Sequence, residues 1–147
     1  MRKALLDTST YVDIRRATRN GRSTWARNTL RNLVAYRATH SQLTVSVFTA
    51  YEVLDGIFRG STPAEAQEFL TRILPAYEVI YPDEGIIALG AQINAALSKG
   101  RSIGMADTLI AATAITRKWS LVNANTKHFQ RVADLGFPLQ LENWRDP

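Results

Sequence analysis

At 147 residues, 46% of them hydrophobic, the chain holds enough apolar surface for one continuous core, and a single domain over residues 1–147 is expected. It has no cysteine, which excludes disulfides, thiolate zinc sites and cysteine nucleophiles. The net charge is +5, and no apolar run approaches the ~20 residues that span a bilayer or forms a signal-peptide core ahead of Asp7, so the expectation is a soluble, cytoplasmic protein without a membrane partner.

Ala4-Leu5-Leu6 reads as a short buried strand that ends in Asp7-Thr8-Ser9-Thr10, a polar turn into a helix. The arginine segment follows. Between Ile14 and Tyr51 there is no acid at all, while Arg15, Arg16, Arg19, Arg22, Arg27, Arg31 and Arg37 carry all of the excess positive charge. Such a cluster suits a polyanion, because each neutralised phosphate releases counterions; the alternatives are a solvated helical face or a surface for an acidic protein.

Leu43 to Val47 alternates and is β-branched, so it predicts a strand, and Phe48 to Arg59 is helical in character and stops at Gly60. Thr62-Pro63-Ala64-Glu65 predicts a helix start with a capping hydroxyl, a proline at the first helical position and a glutamate behind it, the helix running to about Leu74. Tyr77 to Tyr81 is a further strand candidate, and Pro82-Asp83 caps a helix whose stripe is Ile86, Leu89, Gly90, Ile93 and Leu97. Lys99 to Gly104 reads as a loop, Asp107 to Arg117 as an alanine-rich helix, Ser120 to Val122 as a strand and Pro138 to Leu141 as a last short strand.

Strands alternating with helices predict an α/β fold, a mostly parallel sheet covered by helices on both faces. Polar sites in such sheets gather beyond the carboxyl ends of the strands. Asp7, Asn125 and, after a short turn, Glu52 fall in such places, and Asp107 opens a helix where the dipole favours an anion. Singly, Asp7 and Asp107 also fit helix caps, Glu52 and Asp55 an ordinary helical pair, and Asn123 and Asn125 turn residues. Together they offer oxygen ligands only, which selects a hard cation such as magnesium and, with it, phosphodiester hydrolysis. Two histidines are too few for a three-histidine zinc site, no Gly-x-Ser-x-Gly elbow is present, and Gly100 to Gly104 lacks the Gly-Lys-Ser/Thr ending of a phosphate loop. His128 is read as structural, and Trp25, Trp119 and Trp144 as core or interface residues.

Leu5-Leu6-Asp7-Thr8-Ser9 resembles the opening motif of PIN-domain nucleases, and Thr49-Ala50-Tyr51-Glu52-Val53-Leu54-Asp55-Gly56 resembles their second. The stretch Ile103-Gly104-Met105-Ala106-Asp107-Thr108-Leu109-Ile110-Ala111-Ala112 is similar to the third, the most specific of the set, and Leu121-Val122-Asn123-Ala124-Asn125-Thr126-Lys127-His128-Phe129 to the fourth. Their order and spacing resemble the VapC branch of toxins from bacterial toxin–antitoxin pairs. The resemblance implies a PIN-like fold and an endoribonuclease dependent on Mg2+, with Mn2+ as a substitute. It implies an acidic site of Asp7, Glu52 and Asp107, with Asp7 and Asp107 as direct metal ligands and Asn125 where the family has Asp or Asn. It further implies an RNA substrate, a VapB-type antitoxin and a homodimer; the apolar stretches Ile57-Phe58 and Ile73-Leu74 are candidate landing sites for the antitoxin's tail, although plain core burial is the preferred reading of each. Asn123 stands where a Thr or Ser is usual, which removes the hydroxyl from that position. The rival expectations are a PIN-like RNA- or protein-binding module without turnover and a housekeeping PIN nuclease with no antitoxin.

Overall fold

The computed structural model describes residues 1–147. Five short strands form one sheet: β1 (Ala4–Leu6), β2 (Thr44–Ser46), β3 (Glu78–Ile80), β4 (Ser120–Val122) and β5 (Gln140–Glu142). Their order across the sheet is β3-β2-β1-β4-β5 and every pairing is parallel. The expected α/β architecture is therefore present, and parallel throughout rather than mostly so. The order reverses between β1 and β4, which opens a crevice beyond their carboxyl ends.

Seven α-helices cover the sheet: α1 (Thr8–Arg19), α2 (Thr24–Arg37), α3 (Val47–Gly60), α4 (Pro63–Glu68), α5 (Glu84–Ala96), α6 (Met105–Arg117) and α7 (Thr126–Asp134). Alternation along the central strands divides the core. Leu5 and Leu121 point to one face, where Ile86 and Ile93 of α5, Ile110 of α6 and Phe129 and Val132 of α7 meet them. Ala4, Leu6 and Val122 point to the other, against Ile14 of α1, Tyr36 of α2 and Trp144. Burying a side chain of this size removes about 1.5–3 kcal/mol of unfavourable hydration each, which is why such short strands hold.

Gly90 has a packing reason: a Cβ there would lie 2.8 Å from Leu109 Cδ2, so the glycine lets α5 and α6 approach closely. On the opposite face, Asp13 of α1, buried, receives two hydrogen bonds from the Arg145 guanidinium at 2.6 and 2.7 Å. Asn32 of α2 adds a hydrogen bond to the Trp144 carbonyl at 3.1 Å, so the last residues are tied across α1 and α2.

Several expectations need correction. Thr62 precedes α4 but its hydroxyl makes no capping hydrogen bond, and the α-helix stops at Glu68, continuing as a π turn over Phe69–Ile73 and a tight turn over Leu74–Ala76. Asp107 is not a cap, because α6 begins two residues earlier behind Gly104, whose φ of 91° suits glycine. The arginine segment is two helices, broken at Asn20 and restarted by Ser23, whose hydroxyl accepts from the Ala26 N–H. Helix α7 is additional to the elements expected from the sequence. No helix is long and apolar enough to cross a membrane.

Candidate active site

The site stands at the crevice between β1 and β4. Asp7 follows β1 directly, its N–H bonded to the Val122 carbonyl at 2.9 Å, so the sheet ladder itself sets the backbone that carries the carboxylate. Glu52 lies in the second turn of α3, which leaves β2 without an intervening loop, and Asp107 lies in the first turn of α6. Carboxylate oxygens of Asp7, Glu52 and Asp107 come within 4.8 Å of one another.

Each of these acids has one oxygen held by a neighbour. Asp7 Oδ2 accepts from Asn123 Nδ2 at 2.5 Å and from the Ser9 hydroxyl at 3.1 Å. Glu52 Oε1 accepts from the Thr8 hydroxyl at 2.9 Å, and Asp107 Oδ2 lies 2.7 Å from His128 Nε2. Asp7 Oδ1 is buried with no hydrogen-bond partner, a costly state for a carboxylate unless a cation faces it.

The electrostatics point the same way. Burial pushes the Glu52 carboxyl above its ordinary range; the Thr8 hydroxyl pulls it back, and Asp107 and Asp7 push it up again. Burial and then the charge of Asp7 raise Asp107, with His128 acting against both. Three acids this close repel one another, and a hard divalent cation would relieve the repulsion. The donor set therefore fits a divalent metal: three carboxylates, no sulfur, and an unpartnered buried oxygen among them.

Asn125 is placed differently. It is exposed at the start of α7, and its side chain makes no capping hydrogen bond. Asn123, by contrast, is buried and bonded to Asp7, so an amide occupies the position where a hydroxyl was expected and reaches the carboxylate from there. His128, read as structural, reaches Asp107 from α7. Neither link was visible in the sequence; an Asn one residue past a strand and a His near a helix start are common without such roles.

Arg15, Arg16 and Arg19 of α1 line a groove of about 500 Å3 that also takes in Thr8 and Glu52. Val53, Ile57 and Phe69 give its lining an apolar part, and Glu65 and Glu68 of α4 line it as well. A second hollow of about 520 Å3 shares Arg16 and Arg19 and adds Arg22 and Trp25. Three of the segment's arginines, Arg15, Arg16 and Arg19, thus share a groove with Glu52.

A doubly wound parallel sheet with a cluster of acids at its switch point offers a set of oxygen ligands that could hold a metal on an α/β scaffold. The chain belongs to the PIN domain family, whose model matches residues 4–135. Among curated relatives, Ribonuclease VapC1 of Methanocaldococcus jannaschii is 33% identical over 96 residues, covering 65% of this chain and 68% of the relative. Among solved structures, VapBC-1 from nontypeable Haemophilus influenzae superposes with a TM-score of 0.71 at 25% identity, over 96% of this chain and 97% of that one. DNA-bound VapBC from Salmonella typhimurium gives 0.73 at 25% identity, over 98% and 99%.

Proposed function

We propose that this chain, as one PIN domain over residues 1–147, is a Mg2+-dependent endoribonuclease that acts in the cytoplasm as the toxin of a VapBC-type pair. The observation that carries the catalytic reading is the buried, unpartnered Oδ1 of Asp7 beside Glu52 and Asp107. A divalent cation held there neutralises charge on a scissile phosphate and acidifies water near neutral pH. Asp7 and Asp107 are its direct ligands. Glu52, whose carboxyl is raised by burial, completes the acidic site and is placed to take up a proton from water. Asn125, exposed at the start of α7, is the fourth site residue, a neutral oxygen donor for substrate or water. Arg15, Arg16 and Arg19 hold the RNA backbone as it enters beside Glu52.

The relatives named as ribonucleases and the VapBC assemblies among the structural neighbours support this reading. They also support a VapB-type antitoxin and a toxin homodimer. The groove between α1, α3 and α4 suits the antitoxin tail, with apolar side chains in its lining, arginines on α1 and glutamates on α4. Phe58, next in sequence to the groove residue Ile57 and 66% exposed, offers an anchor, whereas Leu74 packs against the core and does not. An arginine from the tail would pair with the acids in a fixed two-pronged geometry and close the site.

The test is an RNA cleavage assay with purified chain, first in EDTA and then with Mg2+ or Mn2+ restored, alongside co-expression with the adjacent short reading frame. Cleavage that returns with the metal and vanishes with the co-expressed partner is expected. RNA bound but left intact in Mg2+ would establish a binding module instead.

A further inference from the structure

Asp7 differs from the other two acids in how fully one of its oxygens is used. Oδ2 accepts from Asn123 Nδ2 at 2.5 Å, from the Ser9 hydroxyl at 3.1 Å and from the Ser9 N–H at 3.4 Å. Oδ1, in a residue only 6% exposed, accepts nothing. The Asn123 amide is oriented from both ends, because its own Oδ1 accepts the Asn125 N–H at 2.6 Å. A flipped amide would set oxygen against the Asp7 carboxylate and a donor against the Asn125 N–H. Ser9 braces the same unit, accepting from the Ala124 N–H at 3.1 Å.

Two-metal nuclease sites hold their ions about 3.5–4 Å apart. A carboxylate that gives one oxygen to each ion is a common way to bridge such a pair. Here the second oxygen of Asp7 faces an amide NH2, which attracts a carboxylate and repels a cation. Asn125, neutral and exposed, brings no charge to recruit another ion.

We propose that Asn123 holds Asp7 as a one-oxygen ligand and so limits the acid trio to a single divalent cation. Asn123 is thus a positioning residue, acting through Asp7 without touching substrate. The inference rests on the trio being the cation site, as proposed above.

Titration of the full chain with Mn2+, followed by calorimetry and by electron paramagnetic resonance without RNA, separates the possibilities. One Mn2+ per chain, with no spin coupling between ions, is expected. Two ions of similar affinity, or a spin-coupled pair, overturn the inference while leaving the metal site itself intact. No Mn2+ binding at all overturns both the metal reading and the inference. Asn123→Ala should weaken Mn2+ binding about tenfold or more, the usual cost of losing a partner that orients a ligand. Asn123→Thr, which keeps a donor toward Asp7, should recover most of that loss. Unchanged affinity in a folded Asn123→Ala chain overturns the positioning role. Should that variant not fold by circular dichroism, the wild-type stoichiometry and the Asn123→Thr affinity still decide.

Discussion

His128 Nε2 lies 2.7 Å from Asp107 Oδ2, joining the first turn of α6 to the first turn of α7. The imidazole stands edge-on to Phe129, whose ring is buried, so the pair is anchored in the core. Replacing His128 with Phe should keep the packing, release Asp107 and weaken Mn2+ binding about tenfold or more. His128→Gln, which retains a polar end, should lose less. Calorimetric Mn2+ titration of both variants checks this; equal affinity for parent and His128→Phe would show that Asp107 needs no support from α7.

Asp7→Asn and Asp107→Asn should each lower cleavage about 100-fold or more, because metal-ion stabilisation is worth several kcal/mol and each ~1.4 kcal/mol is a factor of ten. Glu52→Gln should behave similarly. Initial rates on a defined RNA, with circular dichroism to confirm the fold, provide the measurement. A folded Asp7→Asn chain with near-parental Mg2+-dependent cleavage would remove the acid trio from the mechanism.

The raised carboxyls of Glu52 and Asp107 set a pH dependence for the metal-free chain. An acid whose folded pKa lies above its unfolded value stabilises the fold fully below the unfolded pKa and ceases to do so as pH rises through the folded one. Without metal, stability should therefore fall as pH climbs from the acid range toward neutral. Asp107→Asn should flatten that fall, melt above the parent in EDTA at neutral pH, and gain less than the parent from added Mg2+. Melting curves at acid and neutral pH, each with and without Mg2+, carry the comparison, and a metal-free Asp107→Asn chain that melts below the parent at neutral pH would contradict it.

Substitution of Arg15, Arg19 and Arg22 together by Gln should weaken RNA binding and flatten its salt dependence by about 0.7 for each single-strand phosphate left without its arginine. The slope of log affinity against log salt is the quantity to compare. An unaltered slope would assign these side chains to a protein partner instead.

Arg145→Ala would leave Asp13 buried without its two hydrogen bonds. Breaking a fully buried pair costs about 3–5 kcal/mol; with the Arg145 side chain 41% exposed, water offsets part of that and about 2 kcal/mol is expected. Chemical denaturation measures it, and a loss below about 0.5 kcal/mol, the range of ordinary surface changes, would mean the terminal residues do not secure α1.

The order of strands and helices was legible because the signals were local. Ala4-Leu5-Leu6 and Ser120-Leu121-Val122 are short apolar runs ended by polar turns, and Asp83 caps α5 as its sequence suggests, accepting from the Ile86 N–H at 2.9 Å. Helix α7 was not legible, since only Phe129, Val132 and Ala133 among its nine residues join the core. Asp107 looked like a cap because two features coincide there, an acid and a helix start, whereas the actual start rests on the positive φ of Gly104. The acids themselves stood out, each close behind a strand or at a helix start. What orients them did not, because Asn123 and Asp7 lie 116 residues apart and only folding in three dimensions joins them.

The sheet order carries one more consequence. The central strand β1 precedes its neighbour β4 by more than a hundred residues, so it leaves a ribosome well before that partner exists. Until residues 120–122 have emerged and paired with residues 4–6, Asp7 lacks its backbone bond to Val122 and its amide from Asn123. Asp107 likewise waits for His128. The acid site is therefore assembled only after residues 120–128 have been made, since Asn123 and His128 are what hold Asp7 and Asp107.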